Sequence, residues 1–433
     1  MTNLTAPPAD LPALAHALRT GRLALAAYLD YLEARFAERE PGLRAYMPEP
    51  ERFARLRAEA VALEAHYPDP GARPPLYGVP VGVKDIFHVD GLPTTAGSRL
   101  PPEALAGPQA EAVTALRHAG ALVLGKTVST EFAFFGPGPT RNPHNAAHTP
   151  GGSSSGSAAA VAAGLGPLTL GTQTIGSIIR PAAFCGVVGY KPSYARISAA
   201  GVIPLSPSLD HVGLFTPDVP GAALAAGVLC AEWRPAVADR QPVIGVPAGP
   251  YLDAAGEAAQ AHLRQVMAQL LAAGCQVRPV PALADFEAVR ERHWLLLAAE
   301  AAQVHAAWFP AYGQLYHPRT ADLVARGRAA DPEAVEAACH GRADLRADLT
   351  RLMDDHGLDL WIAPSALGPA PLGLESTGDP VMNLPWTHAG LPAVGVPAGS
   401  SADGLPLGVQ FIGRWWADEQ LLAWAAPLAQ QLA

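Results

Sequence analysis

The chain has 433 residues, of which 49% are hydrophobic and only 16% are charged, and its formal net charge is -9. Average soluble proteins carry about 25% charged residues, so this balance indicates a large compact globule and excludes a disordered or fibrous chain. Nucleic-acid binding is disfavoured because phosphate contacts need a basic stripe, and the sequence has none.

The four cysteines lie far apart and form no CxxC pair, which disfavours a disulfide framework or a zinc site. The N-terminus lacks a basic region followed by an apolar one, so no secretion signal is visible. Residues 142–179 carry no Asp, Glu, Lys or Arg, but they are too rich in Gly, Ser, Thr and Pro to span a membrane. We therefore expect a cytoplasmic protein that uses no metal or cofactor and binds neither membrane nor nucleic acid.

Hydrophobic periodicity predicts helices and strands along most of the chain. Residues 10–65 have Leu and Ala at helical spacing, which predicts two or three amphipathic helices, and a Pro- and Gly-rich joint follows at 68–75. Further helices are predicted at 111–118, 157–164, 256–274, 286–309, 332–355 and 417–432. Strands are predicted at 76–83, 121–124, 168–170, 276–280, 358–362, 393–396 and 407–411.

Strands that alternate with helices predict an α/β fold, with a large mixed, mostly parallel twisted sheet covered by helices on both faces. No linker is long enough to separate independent domains. We expect residues 1–433 to form a single domain. It would comprise an N-terminal helical arm (1–70), a core with the principal motifs (71–220), and a remainder that completes the α/β core and the pocket (221–433).

Residues 120–127, GALVLGKT, satisfy the phosphate-binding pattern GxxxxGK[ST]. The four middle residues, however, are apolar and belong to the predicted strand itself. A phosphate cradle needs a flexible loop after the strand, with its backbone N–H groups turned inward. This segment therefore indicates a strand that ends in a Gly turn.

Residues 152–156, GSSSG, satisfy the GxSxG pattern of α/β-hydrolases, with Ser154 as nucleophile. That interpretation requires an apolar strand directly before the pattern, whereas residues 142–150 are typical of a loop. No later His has a distinctive context for a triad. A purely structural role for this Gly- and Ser-rich stretch is a third interpretation, since such turns also pack tightly.

The remaining interpretation is a Ser–Ser–Lys hydrolase, because the motifs together resemble those of the amidase-signature family. The resemblance runs from about residue 76 to 220 and resumes at 380–414. Its pieces are 76–87 (LYGVPVGVKDIF), 125–127, 131–133, 151–157 (GGSSSGS), 171–181 (GTQTIGSIIRP), 184–192, 208–210 with Gly213, 390–393 and 404–413.

The resemblance implies a catalytic triad of Lys84 as base, Ser153 as bridging serine on a cis peptide, and Ser177 as nucleophile. Ser154 would be a second serine that supports the lysine. A serine hydroxyl needs a base, and a lysine can be that base only when burial makes it neutral. Lys84 follows an apolar run, which fits this requirement.

The turn before Ser177 can direct backbone N–H groups toward one oxygen. Thr174, Ile175 and Gly176 are therefore predicted to form the oxyanion hole that an acyl-transfer intermediate requires. Phe134, Phe135 and Trp386 are predicted to line the substrate pocket, although aromatic residues at such spacings are as often part of a core.

The chain departs from the usual family pattern around the nucleophile. Ile175 stands where the family usually has Gly, and a β-branched residue disfavours positive φ. Gln173 stands where Asp is common, and the spacing of Arg180 differs, which leaves its direction open. These departures put the transfer of substrate identity in doubt.

The sequence thus predicts an amidase that hydrolyses the C–N bond of a small, linear carboxylic amide through a Ser177 acyl-enzyme. The alternative is a glutaminase subunit of a tRNA-dependent amidotransferase, which would pass ammonia to a partner subunit. A non-catalytic scaffold of the same fold is disfavoured by the intact Lys84, Ser153 and Ser177. Substrate identity and oligomeric state stay open, with a homodimer as one option.

Overall fold

The computed structural model describes residues 7–432, which form fifteen α-helices and ten β-strands. The helices are α1 (Leu11–Arg19), α2 (Leu25–Leu43), α3 (Arg52–His66), α4 (Glu111–His118), α5 (Ser155–Ala162), α6 (Ile179–Cys185), α7 (Val219–Leu229), α8 (Pro250–Asp253), α9 (Gly256–Ala272), α10 (Phe286–Val304), α11 (Phe309–Tyr312), α12 (Pro318–Arg328), α13 (Pro332–Asp355), α14 (Leu384–His388) and α15 (Asp418–Leu432). The strands are β1 (Pro80–Lys84), β2 (Leu122–Thr127), β3 (Leu168–Gln173), β4 (Val188–Lys191), β5 (His211–Thr216), β6 (Val243–Ala248), β7 (Gln276–Pro281), β8 (Leu360–Pro364), β9 (Ala393–Ser400) and β10 (Pro406–Ile412).

All ten strands belong to one sheet, in the order β2-β1-β3-β5-β4-β9-β10-β8-β6-β7. The pairs at the two ends are parallel, namely β2 with β1, β1 with β3, β8 with β6, and β6 with β7. Every pair between β3 and β8 is antiparallel. The sheet is therefore mixed.

The mixed sheet flanked by helices confirms the predicted fold class. The expectation that most strand pairs are parallel was wrong. The middle of the sheet is antiparallel, partly because β9 and β10 are joined directly by the short turn 401–405. A turn of this length can only reverse the chain, whereas a parallel pair needs a long crossover.

The N-terminal helices α1, α2 and α3 form the predicted arm. Asp10 caps α1, since its side chain accepts a hydrogen bond from the Ala13 backbone N–H at 2.8 Å. Each helix buries one apolar face in the main core, with Leu14, Leu29 and Leu56 almost fully buried. No helix within residues 7–432 combines the length and the apolar character needed to cross a membrane.

Two strand ends, one helix start and one turn bring polar residues to one place in this framework. Parallel pairing of β1 with β3 puts Val83 opposite Leu170, so that the carboxyl ends of both strands lie together. The start of α5 and the turn between β3 and α6 lie against these ends. The segment 120–127 contains β2, since its last six residues form this buried strand rather than a phosphate loop.

Candidate active site

Lys84 is the last residue of β1, and its side chain is fully buried. Its Nζ lies 2.7 Å from the Ser153 Oγ and 2.8 Å from the Thr172 Oγ1. Burial lowers the pKa of Lys84 to about 7, and the negative charge of Asp210 opposes that decrease. A substantial fraction of Lys84 is therefore neutral near pH 7, when its nitrogen can accept a proton.

Ser153 and Ser154 lie at the start of α5 and have different partners. The Gly152–Ser153 peptide bond is cis, and the Ser153 hydroxyl faces Lys84. Ser154 instead donates to the Thr172 backbone oxygen at 3.2 Å and accepts from its N–H at 3.3 Å. Ser154 thus supports Lys84 indirectly, through Thr172. It is fully buried and follows a loop rather than a strand, which disfavours the GxSxG interpretation.

Ser177 lies in the turn between β3 and α6 and lines the same narrow cavity as Ser153. The structure brings the two serines into this cavity without a hydrogen bond between their hydroxyls. Catalytic hydrogen bonds are often long before substrate binds and shorten in the complex. The structure therefore contains the contact between Lys84 and Ser153, whereas the hydrogen bond between Ser153 and Ser177 stays a prediction.

Thr174, Ile175 and Gly176 also line this cavity, beside Ser177. The φ angle of Ile175 does not lie in the left-handed region, so the β-branched side chain is accommodated without that strain. Gly176 is required sterically, because a Cβ atom there would collide with the amide oxygen of Asn383. Presentation of the N–H groups of these residues to a single oxygen stays a prediction.

Gln173 holds both ends of the turn 174–178, which contains the predicted nucleophile Ser177 and which we call the nucleophile turn. Its amide oxygen accepts from the backbone N–H groups of Ile178 and Ile179, at 2.8 and 3.0 Å. Its amide nitrogen donates to the Thr387 hydroxyl at 2.9 Å, and that hydroxyl donates to the Ile175 oxygen at 2.6 Å. An Asp could accept these bonds but could not donate one. Gln173, which stands where the family commonly has Asp, thus makes hydrogen bonds with both ends of its side-chain amide.

The cavity at Ser177 has a volume of only about 10 Å³, room for about one water molecule. Phe134 and Phe135 line it and also face an outer groove of about 500 Å³. Their rings lie 4.8 Å apart, next to Trp294. The two phenylalanines therefore lie between the groove and Ser177.

Trp386 lies outside this cavity, which corrects its predicted place in the pocket. Its side chain is fully buried, and its indole N–H donates to the Tyr251 hydroxyl at 3.0 Å. The ring packs against Tyr251 and Trp361 in the core. The indole N–H of this buried ring thus has a tyrosine as its hydrogen-bond partner rather than a substrate.

Arg180, on α6, is a buried cation in the wall of the same cavity. Its Nη2 donates to the Gly152 oxygen at 2.7 Å and to the Thr377 hydroxyl at 3.2 Å. Its Nε and Nη1 have no hydrogen-bond partner within residues 7–432. Burial lowers the pKa of Arg180 to about 10, with Asp379 opposing this decrease, so the side chain stays charged at neutral pH.

Three residues of the site escaped the sequence analysis. Thr172 contacts Lys84 directly, and Thr387 supports the nucleophile turn from a distant part of the chain. Asp210 accepts from the Thr174 hydroxyl at 2.6 Å, and burial raises the pKa of Asp210 to about 6. Asp210 belongs to a motif of the resemblance, whereas no sequence signal distinguishes Thr172 or Thr387 from ordinary threonines.

Comparison with known proteins supports the same interpretation. The family model described as Amidase matches residues 35–422. A glutamyl-tRNA(Gln) amidotransferase subunit from Trichlorobacter lovleyi is 33% identical to the chain, over 80% of the chain and 82% of that protein. AtzE, which forms part of the 1-carboxybiuret hydrolase of Pseudomonas sp. strain ADP, is also 33% identical, over 85% of the chain and 87% of the relative.

A solved structure described as a crystal structure of an amidase superposes with a TM-score of 0.88 and 32% identity. The match covers 98% of this chain and all of that chain. The resemblance thus extends over the whole sheet and its flanking helices.

Proposed function

The chain belongs to the amidase family, and we propose that it hydrolyses a small linear carboxylic amide through a covalent intermediate on Ser177. The observation that carries this proposal is the buried Lys84, which contacts Ser153 in the cavity that Ser177 lines. Hydrolysis of C–N bonds is the activity common to the family's amidases. The finer assignment to a free-standing enzyme rests on Gln173 and Ile175, which depart from the usual motif around the nucleophile.

The first half of the proposed reaction forms the acyl-enzyme. Neutral Lys84 receives the Ser177 proton through the Ser153 hydroxyl, since a hydroxyl can both accept and donate. The Ser177 oxygen bonds to the amide carbon, and the carbonyl oxygen becomes an anion in the turn formed by Thr174, Ile175 and Gly176. The proton then returns from Lys84 through Ser153 to the nitrogen, and the C–N bond breaks.

The second half restores the enzyme. Water loses a proton to the same Ser153–Lys84 pair, and its oxygen attacks the acyl carbon. The bond to Ser177 breaks, Ser177 recovers a proton, and the carboxylic acid leaves. The net reaction converts amide and water into carboxylate and ammonium or an alkylammonium ion.

We further propose that the acyl part of the substrate carries a negative charge. Arg180 lines the cavity, and its buried Nε and Nη1 have no hydrogen-bond partner in the part of the chain that the structure describes. A buried guanidinium is stabilised by a carboxylate, which would accept from one of these donors, since Nε and Nη1 lie on different edges of the guanidinium. The narrow cavity favours a short acyl group.

The test compares the monoamide of a short dicarboxylic acid with a neutral amide of the same length. Wild type should have the higher kcat/KM for the anionic amide, and Arg180→Gln should abolish this preference. Arg180 also donates to the Gly152 oxygen, so a purely structural role would make its removal slow both substrates equally. A selective loss on the anionic amide therefore indicates recognition of its charge. Equal losses would leave Arg180 with a structural role only. Turnover of neither amide, together with no labelling of Ser177 by a fluorophosphonate, would contradict the proposed function itself.

The second candidate is the glutaminase subunit of a tRNA-dependent amidotransferase. It is favoured by the identity with the Trichlorobacter lovleyi protein over most of both chains. Glutamine also has a carboxylate that Arg180 could bind. Ammonia release from glutamine alone, at a higher kcat/KM than from other anionic amides, would favour this candidate. So would a requirement for a co-purifying subunit.

A further inference from the structure

A second cavity, of about 240 Å³, lies beside the narrow one at Ser177. Ala133 and Leu205 line both cavities, so the two are adjacent. Most of the second cavity is apolar, with Ile86, Val202 and Val212 among its walls. We refer to it as the side cavity.

Two polar residues in the wall of the side cavity connect it to the catalytic lysine. Thr172 accepts a hydrogen bond from Lys84 Nζ, and the charge of Asp210 acts on the same lysine. The side cavity therefore lies on the lysine side of the site. Arg180 lines the narrow cavity but not this one.

The Asp210 carboxylate retains capacity for one more donor. It accepts from the Thr174 hydroxyl at 2.6 Å, from the Leu205 N–H at 2.8 Å and from the Ser206 N–H at 3.1 Å. An ionised carboxylate offers about four acceptor positions. The described chain supplies these three donors, so an ammonium group in the side cavity could supply the fourth.

We propose that the side cavity receives the amine half of the substrate, so that the enzyme cleaves N-alkyl amides as well as primary amides. This inference rests on the proposed function. The leaving nitrogen must receive its proton from Lys84 through Ser153, which directs it to the lysine side of the scissile bond. An alkyl group on that nitrogen then lies against the apolar walls, where its burial is favourable.

The balance of atoms fixes the form in which the amine leaves. The C–N bond breaks as the Lys84 proton reaches nitrogen, and a neutral amine enters the side cavity. Hydrolysis of the acyl-enzyme releases a carboxylic acid, whose proton converts the amine into an alkylammonium ion. Beside Asp210, that ion has a carboxylate partner before it reaches solvent.

The experiment measures kcat/KM for three amides: a short primary amide, its N-butyl derivative, and a primary amide lengthened by four carbons in the acyl part. Val202→Phe fills the side cavity, and Val61→Phe is the matched control on an exposed position of α3. We expect Val202→Phe to lower the ratio of N-butyl to short primary amide by about tenfold or more. Val61→Phe should leave the ratio unchanged.

Two results would overturn the proposal. One is a wild-type enzyme that cleaves the primary amide and rejects the N-butyl amide. The other is a Val202→Phe variant that discriminates against the long acyl amide instead, since the side cavity would then hold the acyl half. Should Val202→Phe fail to fold, Val202→Ala enlarges the cavity and should raise kcat/KM for an N-hexyl amide relative to the N-butyl amide. An unchanged ratio would count against the proposal.

A binding measurement separates this proposal from the proposed function. Calorimetric titration with n-butylammonium should show binding to wild type and no binding to Val202→Phe. If Val202→Phe does not fold, binding of n-butylammonium should be weaker in Asp210→Asn than in wild type. If no amide is turned over and the amine still binds in this way, the cavity assignment stands and the proposed reaction fails. Absence of amine binding to wild type would overturn the cavity assignment even in an active amidase.

Discussion

The amide nitrogen of Gln173 donates to the hydroxyl of Thr387 at 2.9 Å, across 214 residues of sequence. The Thr387 hydroxyl in turn donates to the Ile175 oxygen. The turn that precedes Ser177 is thus held from the strand side by Gln173 and from α14 by Thr387. The direction of the backbone N–H groups in that turn depends on both residues.

Thr387→Val should lower kcat because it removes the acceptor for Gln173 and the donor to Ile175 while keeping the side-chain volume. A buried polar group left without a partner costs about 1–3 kcal/mol, so we expect a loss of about 10–100-fold. Thr350→Val is the control, since Thr350 likewise donates to a backbone oxygen, but on α13. Kinetics and thermal unfolding should be measured for both variants. A normal kcat in Thr387→Val would show that the turn is rigid without this residue.

The dependence of kcat/KM on pH should follow the protonation of Lys84. Burial lowers the pKa of Lys84 to about 7, and only the neutral amine can accept the Ser177 proton. Activity should therefore be low in acid, increase as the pH rises through about 7, and level off above it. A rate that is maximal in mild acid and falls through neutrality would indicate a protonated carboxyl group as the essential acid instead.

Asp210→Asn should shift this profile to lower pH. The negative charge of Asp210 raises the pKa of Lys84 against the effect of burial, so removing that charge leaves burial unopposed. Asp322→Asn is the control, because Asp322 is exposed and paired with Arg326 in the outer groove. A shift to higher pH, or equal profiles for Asp210→Asn and wild type, would contradict the electrostatic link between Asp210 and Lys84.

Labelling by a fluorophosphonate should separate the two candidate nucleophiles. Ser177→Ala should abolish labelling, because Ser177 lines the cavity beside the predicted oxyanion hole. Ser154→Ala should still be labelled, at a reduced rate, since Ser154 contacts only the Thr172 backbone in the described hydrogen-bond network. Mass spectrometry of the labelled peptide would identify the residue. Labelling that survives Ser177→Ala and is lost in Ser154→Ala would restore the GxSxG interpretation.

Lys84→Met should lower amide turnover more than turnover of an ester with the same acyl group. An amine leaves only after its nitrogen is protonated, whereas an alkoxide needs less help, and general acid–base assistance contributes about 10²–10⁴-fold. Ser153→Ala should show the same bias if it relays the proton. The measurement is kcat/KM for the amide and the ester in wild type and both variants. Equal losses on the two substrates would exclude proton delivery to the leaving group as the role of this pair.

Helical periodicity predicted the bounds of one short and one long helix correctly. Helices 111–118 and 332–355 have the predicted bounds. Strands β4, β5 and β6 were not predicted, and their length and glycine content do not distinguish them from β1, β2 and β3, which were. Their antiparallel or parallel pairing is decided by the crossovers of the whole chain, which local sequence does not encode.

Most site residues that lie within one sequence motif were predicted, whereas most contacts between distant segments were not. Lys84 and Ser153 meet because the start of α5 packs against β1, which the motifs implied, while β3 pairs in parallel with β1. Thr172 contacts Lys84 only because of the register of that pairing. Phe134 and Phe135 line the cavity at Ser177, and their role in substrate binding stays a prediction, whereas Trp386 has a tyrosine partner in the core. An aromatic side chain in either setting has the same local sequence signature.

The position of β9 in the sheet has a consequence for the order in which the protein is made. β4 pairs with β9, and Thr387 lies just before that strand, so the nucleophile turn lacks its outer support until the last tenth of the chain has left the ribosome. Such long-range contacts slow folding, since a long loop must close before they form. During synthesis, the nascent chain therefore displays Ser177 well before the turn around it is fixed. The support of this turn is therefore completed only when nearly all of the hydrophobic core is also in place.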